Sequence, residues 1–306
     1  MNNLRIIFMG TPEFAVPSLD ILVNHGFEVV SVITAPDKPR GRGQKLGVSP
    51  IKELALSYKI PVLQPTNLKS SAFIQELKNY RANLQIVVAF RMLPEIVWSM
   101  PELGTFNLHA SLLPKYRGAA PINWAIINGE KETGVTTFML KHEIDTGSII
   151  FQEREPIDPQ DNAGSLYKRL MLKGAQIVLK TTQAISQGEI TMLPQLIADG
   201  QSKAPKIYKE DCEINWNQSS IAIHNFVRGL SPFPGARTKI DGKIIKIYKT
   251  NVVNDSDSDL DPGSYQTNNQ DCLKFKTSDG FVSIEDVQLE GKKRMKINEF
   301  LRGHKL

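Results

Sequence analysis

Asn107 and His109 stand two residues apart in GTFNLHASLLPKYRGAAPINW, residues 104–124, and Asp145 follows in the turn HEIDTGS. An amide, an imidazole and a carboxylate together suit acyl transfer. The amide and a ring N–H can donate to a developing oxyanion. The carboxylate can orient the imidazole and help move a proton off the attacking nucleophile. No G-x-S-x-G elbow occurs in the chain, so direct attack by an acceptor on an acyl donor is favoured over a covalent enzyme intermediate. Taken alone, an Asn-x-His pair also fits a histidine that only satisfies hydrogen bonds inside a core.

Such a trio needs a scaffold. Side chains alternate faces along a strand, so Phe106 and Leu108 point one way and Asn107 and His109 the other. Upstream, the apolar run LRIIFMG (4–10) reads as a buried parallel strand and TPEFAVPSLDILVNHG as a helix closed by Gly26. EVVSVITAP (28–36) is the next strand. SPIKELALSYK (49–59) is a helix opened by Ser49 with Pro50 in its first turn. PVLQP, the capped helix SSAFIQELKNYR and the apolar strand LQIVVAF continue the rhythm. Alternating strands and helices predict a doubly wound α/β sheet, with ligands beyond the carboxyl ends of its strands. The trio's first pair sits where such a strand ends.

The first turn, GTPEFAVPS, has one glycine where G-x-G-x-x-G needs three, and no G-x-x-x-x-G-K-[ST] is present. Both facts argue against dinucleotide and ATP chemistry. The two cysteines, Cys212 and Cys272, are too few for a disulfide scaffold, and MNNLRIIFMG reads as a first strand rather than a signal peptide. A cytoplasmic location follows, with no membrane partner, no metal site and no obligate protein partner, so a monomer is expected. The chain has 306 residues and a net charge of +5, which is a weak pointer to nucleic acid.

The charge is more informative where it clusters. APDKPRGRGQKLGVSP (35–50) holds Lys38, Arg40, Arg42 and Lys45 against one acid, Asp37. Its glycines and prolines predict an irregular loop that could wrap a polyanion or simply be solvated. Downstream, TGVTTFMLKHEIDTGSIIFQEREPI (133–157) alternates like a β-hairpin turning near 142–147, and residues 163–188 form a long amphipathic helix. Residues 198–209 read as a polar linker between domains at 1–197 and 210–306. The second domain opens on the helix 219–230 and continues as short strands with turns at IDGK, TSDG and DPGS, which suggests a small β-barrel.

FNLHASLLPKYRGAAPINWAI followed by GVTTFMLKHEIDTGSII resembles the folate-dependent formyltransferases. Similarity to the branch acting on charged tRNA extends over FMGTPEFAVPSL, the basic loop, PVLQP and LSPFPGA, nearly the whole chain. The resemblance implies a Rossmann-like catalytic domain followed by an OB-like barrel. It implies 10-formyltetrahydrofolate as donor and initiator methionyl-tRNA as acceptor, without a metal. Asn107, His109 and Asp145 would be the catalytic trio. Ser111, Leu112, Leu113 and Pro114 would contact folate, as would backbone near Phe90 and Met92. Lys38, Arg40, Arg42 and Lys45 would meet the tRNA. One departure stands at VVAFRMLP, where Arg91 lies near a glycine common in the family and the segment is shorter by one residue. A sibling enzyme with a small-molecule amine acceptor and a non-catalytic RNA-binding relative are the alternatives.

Overall fold

The computed structural model describes residues 3–40, 45–143, 145–196, 202–253 and 259–306. The chain packs as two compact units that interleave in sequence. The first takes Met1–Arg117, Gly134–Glu155 and Tyr167–Ser202, and the second takes Gly118–Thr133, Pro156–Leu166 and Lys203–Leu306. This division does not follow the expected boundary at 198–209: two internal segments, 118–133 and 156–166, pack with the C-terminal residues. The helices are α1 (Val16–Asn24), α2 (Pro50–Ser57), α3 (Ser71–Asn79), α4 (Glu95–Trp98), α5 (Pro121–Ile127), α6 (Ala163–Gln187), α7 (Ser220–Gly229) and α8 (Ile297–Gly303).

In the first unit the strands are β1 (Arg5–Gly10), β2 (Glu28–Ile33), β3 (Lys38–Arg40), β4 (Lys45–Gly47), β5 (Val62–Leu63), β6 (Leu84–Val88), β7 (Thr105–His109), β8 (Glu132–Met139) and β9 (Ile149–Pro156). Seven of them form one sheet in the order β9-β8-β7-β6-β1-β2-β5. It is parallel from β5 to β7, and β7 pairs antiparallel with β8. The chain moves outward from β1 to β2 and β5, then returns to β6 on the other side of β1. The switch point therefore lies between β1 and β6, where doubly wound sheets open a ligand crevice. The expected hairpin at 133–157 is present as β8 and β9.

The central strands are apolar on both faces because both faces are covered. Ile6, Ile7, Phe8 and Met9 are buried, as are all five residues of β6. Burying each such side chain contributes about 1.5–3 kcal/mol. Serines start the helices as their spacing suggests: Ser49 Oγ accepts from Lys52 N at 3.2 Å and Ser70 Oγ from Phe73 N at 3.4 Å. Against β7, α6 approaches closely at Gly174, where a Cβ would stand 2.7 Å from Leu108 Cδ2. The Leu108 face thus meets a helix, and the opposite face is left for Asn107 and His109.

The basic stretch corrects one expectation. Lys38–Arg40 and Lys45–Gly47 pair as a short antiparallel hairpin, Lys38 opposite Gly47 and Arg40 opposite Lys45. Proline lacks a donor, but an isolated two-stranded ribbon leaves half its backbone groups facing outward, so Pro39 fits there.

The second unit carries β10 (Ala236–Ile240), β11 (Lys243–Val253), β12 (Tyr265–Thr267), β13 (Leu273–Lys276), β14 (Phe281–Leu289) and β15 (Met295–Lys296). They form an antiparallel sheet in the order β10-β11-β14-β13-β12, with β15 added to β14. It is an open half-barrel whose longest strand, β11, shifts register at Lys249. Its core includes Ile223, Val227, Ile245, Ile247, Phe275 and Phe300, and Trp216 stacks on Phe275 with centroids 4.3 Å apart. Helix α5 belongs here because it packs on α7. Gly229 leaves room for Ile127, and Asn123 Nδ2 donates to Gly229 O at 2.8 Å.

Candidate active site

Strand β7 sets Asn107 opposite Val87 and Phe138, and His109 opposite Thr136. His109 is 6% exposed. Asn107 is half-buried, and among the described residues its side-chain amide has no hydrogen-bond partner. A donor left open beside a buried imidazole suits a reacting oxygen.

The loop after β7 then coils back on the imidazole. Thr136 Oγ1 donates to Ser111 O at 2.6 Å and accepts from Leu113 N at 3.2 Å and from Gln152 Nε2 at 3.0 Å. Gln152 Nε2 also donates to Leu113 O at 2.7 Å, and Ser111 Oγ to Lys115 O at 2.7 Å. So pinned, the loop delivers the Tyr116 carbonyl to His109 Nε2 at 2.8 Å. A carbonyl only accepts, so Nε2 carries a proton. The opposite nitrogen, Nδ1, faces Asp145 Oδ2 at 3.9 Å. This differs from the simplest expectation for the ring: its N–H is committed to Tyr116, and Nδ1 is the atom directed at the carboxylate.

Asp145 is 14% exposed and has a φ of +54°. Its turn is held from outside the hairpin. Gln195 Nε2 donates to Asp145 O at 2.8 Å and Gly147 O at 2.7 Å, while Gln195 Oε1 accepts from Arg117 Nε at 3.1 Å. Ile149 and Leu193 exchange two backbone hydrogen bonds that bring Gln195 to this place. Sequence reasoning missed Tyr116, Thr136, Gln152 and Gln195. They act through backbone carbonyls or carry no local pattern, and Gln195 lies 50 residues from the turn it holds.

The expected folate residues divide. Phe90 and Met92 sit in the loop after β6, at the switch point, with Phe90 half-buried and Met92 72% exposed. Leu112 and Pro114 are half-buried. Ser111 is fully buried with its hydroxyl spent on the loop, and Leu113 packs on Phe138 and Ile149. These two shape the loop instead of offering side chains to a ligand. At the departure noted above, the Arg91 guanidinium donates to Thr66 O at 3.1 Å and to Pro65 O. It ties the loop after β6 to the loop after β5. Open apolar surface on the loops after β6 and β7, at the strand ends, fits a flat heteroaromatic donor.

Of the expected tRNA residues, Lys38 is exposed on β3. Arg40 and Lys45 are described by their backbone alone, and Arg42 lies outside the described residues. The second unit adds a basic cavity of about 710 Å³ lined by Lys206, Lys209, Arg237 and Lys246, with Tyr208 and Phe233 at its wall. Phe233 is 80% exposed. Lys206 and Lys209 come from the stretch read as a linker. Its described part is packed: Ala204 is fully buried, and Pro205 O accepts from Trp124 Nε1 at 2.9 Å.

The formyl transferase model matches residues 4–182, and the model of the formyl transferase C-terminal domain matches residues 206–305. A methionyl-tRNA formyltransferase of Bacteroides fragilis is 51% identical, over 99% of this chain and 96% of its own. That of Phocaeicola vulgatus is 53% identical, over 99% and 96%. Among solved structures, WlaRD, a sugar 3N-formyl transferase in the presence of dTDP and 5-N-formyl-THF, matches with a TM-score of 0.68 at 26% identity. That match covers 96% of this chain and 100% of WlaRD. With both domain models matched in order and half of all residues shared with these relatives, the chain belongs to the methionyl-tRNA formyltransferases.

Proposed function

We propose that Asn107, His109 and Asp145 carry the transfer of the formyl group of 10-formyltetrahydrofolate to the α-amine of methionine on initiator methionyl-tRNA. The folate is a co-substrate, consumed in each turnover. The observation that carries this reading is the imidazole gripped by a carbonyl on one nitrogen and facing a carboxylate with the other, beside the Asn107 amide, which has no hydrogen-bond partner among the described residues.

The amine nitrogen attacks the formyl carbon, forming the new C–N bond. Asn107 Nδ2–H donates to the formyl oxygen as it gains charge, which an amide already in place does without reorganising. With Nε2–H fixed by Tyr116, Nδ1 presents a lone pair and takes the amine's proton. The resulting imidazolium adds its charge to the stabilisation of the oxyanion. Asp145, 3.9 Å from Nδ1, stabilises that imidazolium and helps pass the proton on. The proton ends on the folate nitrogen as its bond to the formyl carbon breaks. Leu112, Pro114, Phe90 and Met92 line the donor's place. Lys38 and its neighbours on the hairpin, with the basic cavity of the second unit, meet tRNA phosphates, contacts that position without reading sequence. The acceptor sets the reaction in the cytoplasm, and a trio drawn from one chain supports action as a monomer.

The test is transfer of labelled formyl with methionyl-tRNA, glycinamide ribonucleotide and water as competing acceptors. Label on methionyl-tRNA that disappears in His109→Ala supports both acceptor and site. Label on the small amine would instead assign the second unit another role.

A further inference from the structure

The hairpin β3–β4 leaves the sheet between β2 and α2, and three side chains meet at its root. Lys52 Nζ stands 2.5 Å from Asp37 Oδ2 and donates to Gln64 Oε1 at 2.7 Å. Gln64 Nε2 donates to Asp37 Oδ1 at 2.8 Å and to Ala35 O at 2.8 Å. The three side chains thus bond to one another in a triangle, and Asp37 and Lys52 are largely buried. Below the triangle, Thr34 Oγ1 and Ser49 Oγ lie 2.8 Å apart with both residues buried, joining the two ends of the basic stretch. Three separate segments meet here: the connection from β2 to the hairpin, the first turn of α2 and the residue after β5. Asp37 directly precedes Lys38, the first residue of the hairpin.

We infer that Asp37, Lys52 and Gln64 are a positioning set for the acceptor: they fix the root of the β3–β4 hairpin so that its basic residues meet the tRNA in one direction. The inference rests on the formyl-transfer reading above. The geometry supports it because the triangle is made of charge-assisted bonds between fixed elements, each with little freedom to adjust. None of the three side chains belongs to the catalytic trio or the folate loops. Charge alone argues for the opposite effect. Asp37 is an acid in a basic stretch, and removing it would strengthen attraction to a polyanion.

That opposition makes the inference testable. Steady-state transfer to methionyl-tRNA is measured for the wild type, Asp37→Asn, Gln64→Leu, Lys52→Met and Lys52→Arg, varying tRNA and folate separately. Asp37→Asn and Lys52→Met are expected to raise the KM for methionyl-tRNA about ten- to hundred-fold, as for a misplaced positioning group. The kcat at saturating tRNA and the KM for 10-formyltetrahydrofolate stay unchanged. Gln64→Leu shifts the same KM in the same direction without altering charge, and it serves if Asp37→Asn does not fold. Lys52→Arg restores part of the effect. A KM for tRNA that is unchanged or lower in Asp37→Asn overturns the inference, as does a common fall in kcat and both affinities. A wild type that transfers nothing to methionyl-tRNA overturns the underlying reading instead.

Discussion

His109 illustrates how much one side chain depends on its two neighbours. Its nitrogens face different partners, the Tyr116 carbonyl at 2.8 Å and the Asp145 carboxylate at 3.9 Å, so its tautomer and its direction are both set. In the proposed mechanism, removing the imidazole takes away the proton acceptor and the charge that follows it. His109→Ala is expected to lower kcat about 10²–10³-fold, the range for loss of one oxyanion stabiliser, with little change in binding of either substrate. Single-turnover transfer with tRNA and folate both saturating reads this directly, and a rate within a few-fold of wild type would remove His109 from the mechanism. The residue types at 107, 109 and 145 stand out through their fit to acyl transfer together with the resemblance of their segments to the formyltransferases. The tautomer does not, because it depends on a backbone carbonyl seven residues away.

The turn that carries Asp145 depends on Gln195, whose amide spans two carbonyls of the turn and one arginine. Gln195→Leu keeps the volume and removes all of these bonds. It should lower kcat about tenfold or more by letting Asp145 drift from the imidazole, with the KM values nearly constant. Matching kcat values for the variant and the wild type would show that the hairpin holds its own turn. A second element, the start of α7, has a pH signature. Hydrogen bonds from Ser220 N and Oγ, both at 2.7 Å, with Thr277 Oγ1 at 3.1 Å, hold the Asp279 carboxyl below its ordinary range. A carboxyl depressed in the folded state contributes stability above its unfolded value near pH 3.9, and that contribution fades as pH falls through the folded value. Asp279→Ala should therefore melt below the wild type at pH 7, with the gap narrowing below about pH 4. A gap that stays constant with pH in thermal melts would assign the loss to packing.

In the molecule as a whole, charge is spread over both units, and the net excess of +5 hides two local concentrations: the hairpin stretch and the cavity around Lys206, Lys209, Arg237 and Lys246. Reversing Lys206, Lys209 and Lys246 to glutamate should raise the KM for methionyl-tRNA. It should also flatten its dependence on salt, by about 0.7–0.9 in log–log slope for each phosphate no longer neutralised. Folate binding and the hydrolysis of the donor should not move. A parallel loss of folate affinity would mean that the cavity supports the fold rather than the tRNA. Deleting residues 206–306 would be a poorer experiment. The second unit also contains 118–133 and 156–166, so the cut strips α5 of the α7 surface on which it packs.

Local pattern was enough for the elements. Apolar runs made β1 and β6, serines at 49 and 70 started their helices, and alternation located the β8–β9 hairpin, since each rests on neighbours within a few residues. The proposed trio was legible as residue types that acyl transfer uses, in segments that resemble the formyltransferases. What could not be read were relations between distant residues. The pairing of 38–40 with 45–47 has the triangle of Asp37, Lys52 and Gln64 at its root, and those side chains come from three separate segments. The burial of Ser111 and Leu113 followed from Thr136 on a neighbouring strand. The membership of 118–133 in the second unit followed from a helix face whose partner lies about 100 residues downstream. Side-chain type and short-range periodicity are properties of the chain, whereas the partner of a given carbonyl, amide or carboxylate is chosen only when packing brings distant segments within about 3 Å.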